Sequence, residues 1–296
     1  MPKLVETTED IQIEIPNEKI VDCEYGAYIP ILAFTDTATY SFFPGKGIDC
    51  KTGKSVDSYT SIFKLFDFST NSPIYKKSYA IIRQNFPNGL SPEVSHEILK
   101  LIGFKILSDL ASIDKVKYFL ITEYEQLSSV IQVNIEKYSS SNLLPQIPFL
   151  KESIDVFFNS ATSIISHFLT FFDIKYLNGR IDSRNAPFNK CINYLQKNPS
   201  LSNNELLNIF ISFKDIEAEL RNIRNCLYHP EDHLFSVYIY NIHFSNYKTI
   251  NPPTLEFAEN KLLQYKNISI IDYIDNFEQN ILNFSENYLQ FMARLS

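Results

Sequence analysis

Two arginines, two asparagines and a histidine crowd into Glu219-Leu220-Arg221-Asn222-Ile223-Arg224-Asn225-Cys226-Leu227-Tyr228-His229-Pro230. Arginine brings a permanent charge and a planar fork matched to phosphate, and histidine brings a proton that moves near neutral pH. That combination suits cleavage of an RNA phosphodiester by its own 2'-hydroxyl. Such a reaction needs a base for the hydroxyl, an acid for the leaving oxygen and positive charge for the crowded phosphorane. Arg224 and His229 are the candidate reacting pair, with Asn225 beside them and Arg221 and Tyr228 as candidate substrate-binding residues, Arg221 as a phosphate contact.

The run lies at the end of a predicted helix over 203–228, whose core stripe is Leu206, Phe210, Phe213, Ile216, Leu220, Ile223 and Leu227. At about 100 degrees per residue, Arg224 falls roughly 70 degrees from the middle of that stripe, at its flank, while Arg221 and Asn225 point further out. Pro230 disfavours helical geometry at His229, so the helix ends at or just before the histidine and frees it to turn. The last carbonyls of a helix carry partial negative charge and favour a cation there.

Two further segments show long helical seams. One is Leu150, Ile154, Phe157, Ala161, Ile164, Phe168 and Phe171; the other is Ile270, Ile274, Phe277, Ile281, Phe284, Tyr288, Phe291 and Leu295, with Ser269 as a cap. Matching seams of this length pack lengthwise. A shorter amphipathic piece is expected near 187–197, and two helices at roughly 92–111 and 114–137. Ser91-Pro92, with Glu93 behind it, signals the start of the first of these, and Ser139 to Asn142 break the pattern after the second. Leu234 to Phe244 reads as a strand or hairpin arm, and Asn251-Pro252-Pro253 as the approach to the last helices. Before residue 91 the texture differs. Short β-favouring runs (Ile11 to Ile15, Tyr28 to Phe34) alternate with turn signals at Gly45-Lys46-Gly47 and Pro87-Asn88-Gly89. The expected fold is mainly α: a C-terminal antiparallel helical bundle over 149–296, a helical segment over 91–148, and a small irregular β-containing region over 1–90.

Composition narrows the function classes. Hydrophobic residues make up 45% of the 296 and aromatics 14%, enough for a packed core. A net charge of −7 and a pI near 5.3 exclude a broad basic surface, so any nucleic-acid contact must be local. The cysteines Cys23, Cys50, Cys191 and Cys226 form no Cys-x-x-Cys pair, which argues against a disulfide scaffold or zinc module. Met1 to Asp10 lacks the charged-then-apolar pattern of a secretory leader, and no apolar run is long enough to cross a bilayer. The expectation is a cytoplasmic protein without membrane contact.

The Arg224-Asn225-x-x-x-His229 run, with a polar residue straight after the arginine, resembles the Arg-x(4 to 6)-His motif of the HEPN superfamily of helical-bundle proteins. The resemblance covers about half the chain, roughly 149–296. It implies a metal-independent endoribonuclease with no cofactor, of the kind found in toxin–antitoxin, antiphage and CRISPR-associated systems. Arg224 and His229 carry over as the catalytic pair and Asn225 as their polar support. The implied partners are RNA, a second copy of the chain in a homodimer, and an antitoxin or regulatory protein. Many HEPN members bind or scaffold without catalysis, so a non-catalytic interaction or RNA-binding module is the competing reading.

Plainer roles exist for each residue. Arg221 and Arg224 could pair with Asp215, Glu217 or Glu219, and His229 could satisfy orphan carbonyls at the helix end. Tyr228 could be a core-edge aromatic. His229 and His233 are four apart, but Pro230 breaks the helix that would align them on a metal, and Cys226 adds too few ligands for zinc. Gly45-Lys46-Gly47 lacks the first glycine and the Ser/Thr of a phosphate loop.

Overall fold

A computed structural model describes residues 3–6, 11–14, 31–34, 39–48, 51–66, 105–138, 146–173, 176, 187–199, 204–229, 237–245, 249–258 and 265–294. The turn expected at Pro87-Asn88-Gly89, the helix start at Ser91-Pro92, the break at Ser139 to Asn142, and Pro230 and His233 lie outside these residues. The chain divides into two compact units between Ala111 and Ser112.

The first unit holds antiparallel strands. β1 (Lys3–Glu6) pairs with β2 (Ile11–Glu14), and β3 (Ile31–Phe34), β4 (Thr39–Ile48) and β5 (Ser55–Phe66) form a sheet in that order. The turn expected at Gly45-Lys46-Gly47 is not there: these residues lie inside β4, opposite Asp57 and its neighbours. The register shifts between Phe43 and Pro44, and such an irregularity accommodates Pro and Gly inside a strand. The reversal comes instead between Ile48 and Ser55. There Gly53 takes φ +67, left-handed geometry that glycine adopts without a Cβ penalty.

The second unit is mainly helical. α1 (Leu107–Tyr138), whose first residues to Ala111 belong to the first unit, runs unbroken where two helices were expected. Ser112-Ile113-Asp114 contains neither Gly nor Pro, and Ile113 is fully buried, so the stripe continues through the expected gap. α2 (Leu150–Phe172), α3 (Pro187–Lys197), α4 (Glu205–Tyr228) and α5 (Ile270–Arg294) follow the sequence periodicity closely. Between α4 and α5 come β6 (Tyr238–Tyr240), β7 (His243–Ser245), β8 (Thr249–Asn251), β9 (Thr254–Ala258) and β10 (Tyr265–Ser269). β7 pairs with β8, and β10, β9 and β6 form an antiparallel sheet. The segment after Pro253, expected to lead into helices, instead holds the strands β9 and β10 ahead of α5. Buried Leu255 and Phe257 alternate with half-buried Glu256, the two-residue period of a sheet with one covered face.

The seams meet as rings. Phe157 packs edge-on to Phe277 at 5.5 Å and Phe168 to Tyr288 at 5.4 Å, so α2 and α5 run in the same sense. Phe172 packs on Phe210 at 5.4 Å, while Tyr228 at the far end of α4 reaches Asp155 near the start of α2, so those two helices are antiparallel. α4 also opposes α5, with Phe210 against Tyr288 and Phe213 against Phe277. Edge-to-face contacts of this kind stabilise a core by about 0.5–1.5 kcal/mol each beyond the area they bury. Lys117 of α1 ties onto α5 through Asp275 and Glu278. This packing brings the C-terminal turns of α4 against the N-terminal turns of α2. Among the described residues no helix is long and apolar enough to cross a membrane.

Candidate functional site

The buried residues of α4 (Leu206, Phe210, Phe213, Glu217, Leu220, Ile223) recur every three to four positions and end at Ile223, with Glu217 taking the buried place expected of Ile216 and with Ile216 and Leu227 half-buried. Beyond that point Arg224 to Tyr228 are half-buried and His229 is exposed. His229 leaves the helix at φ −134, ψ 57, outside helical geometry, and its backbone N–H donates to the Asn225 carbonyl at 2.8 Å. Its imidazole has no hydrogen-bond partner among the described residues, so it does not serve the helix-end carbonyls through its ring.

Arg221 and Arg224 differ sharply. Arg221 donates to Glu217 one turn back at 3.2 Å, one of the pairings open to it from the sequence. Glu217 is 6% exposed, and burial raises its pKa against the lowering pull of Arg221. The neighbouring Glu219 is engaged by Lys266 at 3.4 Å. Arg224 has no ion pair among the described residues. Its guanidinium carbon lies 5.2 Å from the centre of the Tyr228 ring, a cation–π distance, and its Nε is sealed from solvent with no hydrogen-bond partner. The charge of Arg224 is thus held by an aromatic face and, among the described residues, not neutralised by a carboxylate.

Tyr228 is in turn fixed from α2. Its hydroxyl donates to Asp155 Oδ1 at 3.1 Å, and Asn159, one turn further along α2, is a second polar neighbour of the phenol. Burial first, and then Asp155, raise the Tyr228 pKa, so the hydroxyl remains a donor throughout the neutral range. Asp155 and Asn159 lie outside the sequence motif, and Asp155 stands 73 residues from its partner. Only the antiparallel pairing of α2 with α4 could have pointed to them.

The arrangement therefore joins Arg224 to Tyr228 and leaves Asn225 and His229 linked through the backbone at the helix end. Among the described residues no three His, Cys, Asp or Glu side chains converge as a metal-binding group. Cys226 is a half-buried thiol whose pKa burial raises, which suppresses the thiolate needed of a ligand or nucleophile. His167 meets Ser163 Oγ at 3.1 Å within α2. No protein-family model, curated protein or solved structure matches the chain.

Proposed function

We propose that the chain is a metal-independent endoribonuclease of HEPN type, acting as a homodimer in which the α4 ends of two protomers share one cleft. The observation that carries this reading is the Arg224 guanidinium, without an ion pair among the described residues and laid on Tyr228 in the same final turn that ends at the exposed His229. In the reaction the 2'-oxygen attacks phosphorus and the bond to the 5'-oxygen breaks, giving a 2',3'-cyclic phosphate and a 5'-hydroxyl. One His229 takes the proton of the 2'-hydroxyl and the imidazolium of the other protonates the departing oxygen. One imidazole supplies only half of that couple, which is why two copies are needed. Arg224 stabilises the charge that grows on the phosphorane, and Asn225 supports the pair from the adjacent position. Arg221, its charge shared with Glu217, adds a weaker attraction for a neighbouring phosphate. The toxin–antitoxin or antiphage setting, with a regulatory partner, follows from the resemblance of the motif.

The competing reading is a non-catalytic interaction or RNA-binding module. It draws on the net charge of −7 and on the exposed Val130 and Val133 of α1, apolar neighbours one turn apart. The two readings separate in one assay. Purified protein incubated with single-stranded RNA in a chelator should yield cyclic-phosphate and 5'-hydroxyl ends, and His229→Ala or Arg224→Ala should abolish them. RNA that stays intact with the native protein would leave the module.

A further inference from the structure

Arg224 needs to be held still without being neutralised, and the usual way of fixing an arginine, a carboxylate, would cancel the charge that a phosphate requires. The α2–α4 contact offers another way. Tyr228 follows Arg224 by four residues, so the two side chains stack on one face of the helix and the guanidinium lies over the ring at 5.2 Å. The ring itself is pinned at its far end, where its hydroxyl donates to Asp155 Oδ1 at 3.1 Å. Of the Arg224 guanidinium nitrogens only Nε is sealed from solvent without a partner. The buried Nε edge faces the protein, and the guanidinium has no ion pair among the described residues.

We infer that Asp155 is a positioning residue for phosphate binding by Arg224, acting through Tyr228. This rests on the nuclease reading above and extends it to a second helix. Asp155 orients the phenol, the phenol presents its face to the guanidinium, and the guanidinium keeps its full charge because the carboxylate touches the hydroxyl and not the arginine. The alternative is a simple staple between helices, in which the Tyr228 hydroxyl adds stability and nothing else.

The test uses full-length native protein, Asp155→Ala, Asp155→Asn, Tyr228→Phe and the Asp155→Ala/Tyr228→Phe double variant, each checked for native thermal unfolding. Two quantities are read: steady-state cleavage of single-stranded RNA, and the solvent exchange of the Arg224 Nε–H by nitrogen-15 NMR. Asp155→Ala and Tyr228→Phe should each lower kcat about ten- to a hundredfold, as a displaced catalytic group does, with the smaller change in KM. The double variant should be no worse than either single one, because both remove the same link. Asp155→Asn, whose Oδ1 still accepts from the phenol, should restore most of the activity. Exchange of the Arg224 Nε–H should quicken in the two damaging single variants and not in Asp155→Asn. Full cleavage by Asp155→Ala and Tyr228→Phe, multiplicative losses in the double variant, or unchanged exchange would each overturn the inference while leaving the nuclease reading intact. If the native protein cuts no RNA, the nuclease reading and phosphate positioning fall together, and the exchange measurement alone decides whether Asp155 holds Arg224.

Discussion

Arg221 and Arg224 stand three positions apart on α4 yet meet opposite electrostatic surroundings, and that difference can be measured. Glu217 is buried deeply enough that desolvation outweighs the attraction of Arg221 and raises its pKa. A raised carboxylate favours the fold below the ordinary carboxylate range, and that contribution is lost as pH rises through the raised value. At pH 7 the charge on Glu217 is therefore a cost that Arg221 offsets only in part. Glu217→Gln should leave stability at pH 7 unchanged or higher and flatten its dependence on acid. Arg221→Gln strands the buried carboxylate and should cost about 1–3 kcal/mol in chemical denaturation at pH 7. If both substitutions destabilise equally, the pair is a net contributor and the burial argument fails. Only part of this contrast was legible in the sequence. Helical spacing singles out Glu217, four residues before Arg221, and puts none of the three carboxylates Asp215, Glu217 and Glu219 three or four residues from Arg224, but which carboxylate the packing buries does not follow from spacing.

At the scale of elements, the helices were legible because their apolar residues repeat at three and four. α2, α4 and α5 begin and end within a few residues of the sequence reading, and Ser269 caps α5 as expected, accepting from the Asp272 N–H at 3.3 Å. The strands β9 and β10 were not legible, because the paired prolines ahead of them resemble the entry to a loop, and the three-residue β8 depends on its partner β7. The start of α2 holds a feature that periodicity could not reveal. Phe149 adopts φ 52, ψ 27 while 72% exposed, left-handed geometry that a side chain with a Cβ rarely takes. Just before it, Asn241 clamps the backbone of Ile147 by accepting from its N–H at 3.0 Å and donating to its carbonyl at 3.1 Å. This clamp holds the entry to the helix that carries Asp155. Since the ring is largely exposed, strain should dominate: Phe149→Gly should be more stable than Phe149→Ala by about 0.5–1 kcal/mol in urea unfolding. An alanine that matched or exceeded glycine would mean that the backbone relaxes to ordinary geometry.

For the molecule as a whole, the proposed reaction sets an assembly requirement that the fold of one chain does not meet by itself. One Arg224 and one His229 provide a single cation and a single imidazole, so the reading predicts a two-copy species by light scattering at micromolar concentration. A strictly monomeric protein that nevertheless cut RNA would move the second proton carrier to another residue of the same chain. The acidic composition adds a further constraint: with a net charge of −7, the proposed nuclease would have to attract RNA through the α4 ends and not through the surface at large. The most direct measurement is RNA cleavage in the presence of a chelator by native protein beside His229→Ala, the exposed residue whose loss leaves the core untouched. Cyclic-phosphate ends from the native protein and none from the variant are the predicted result. Equal cleavage by both, or intact RNA with the native protein, would contradict it.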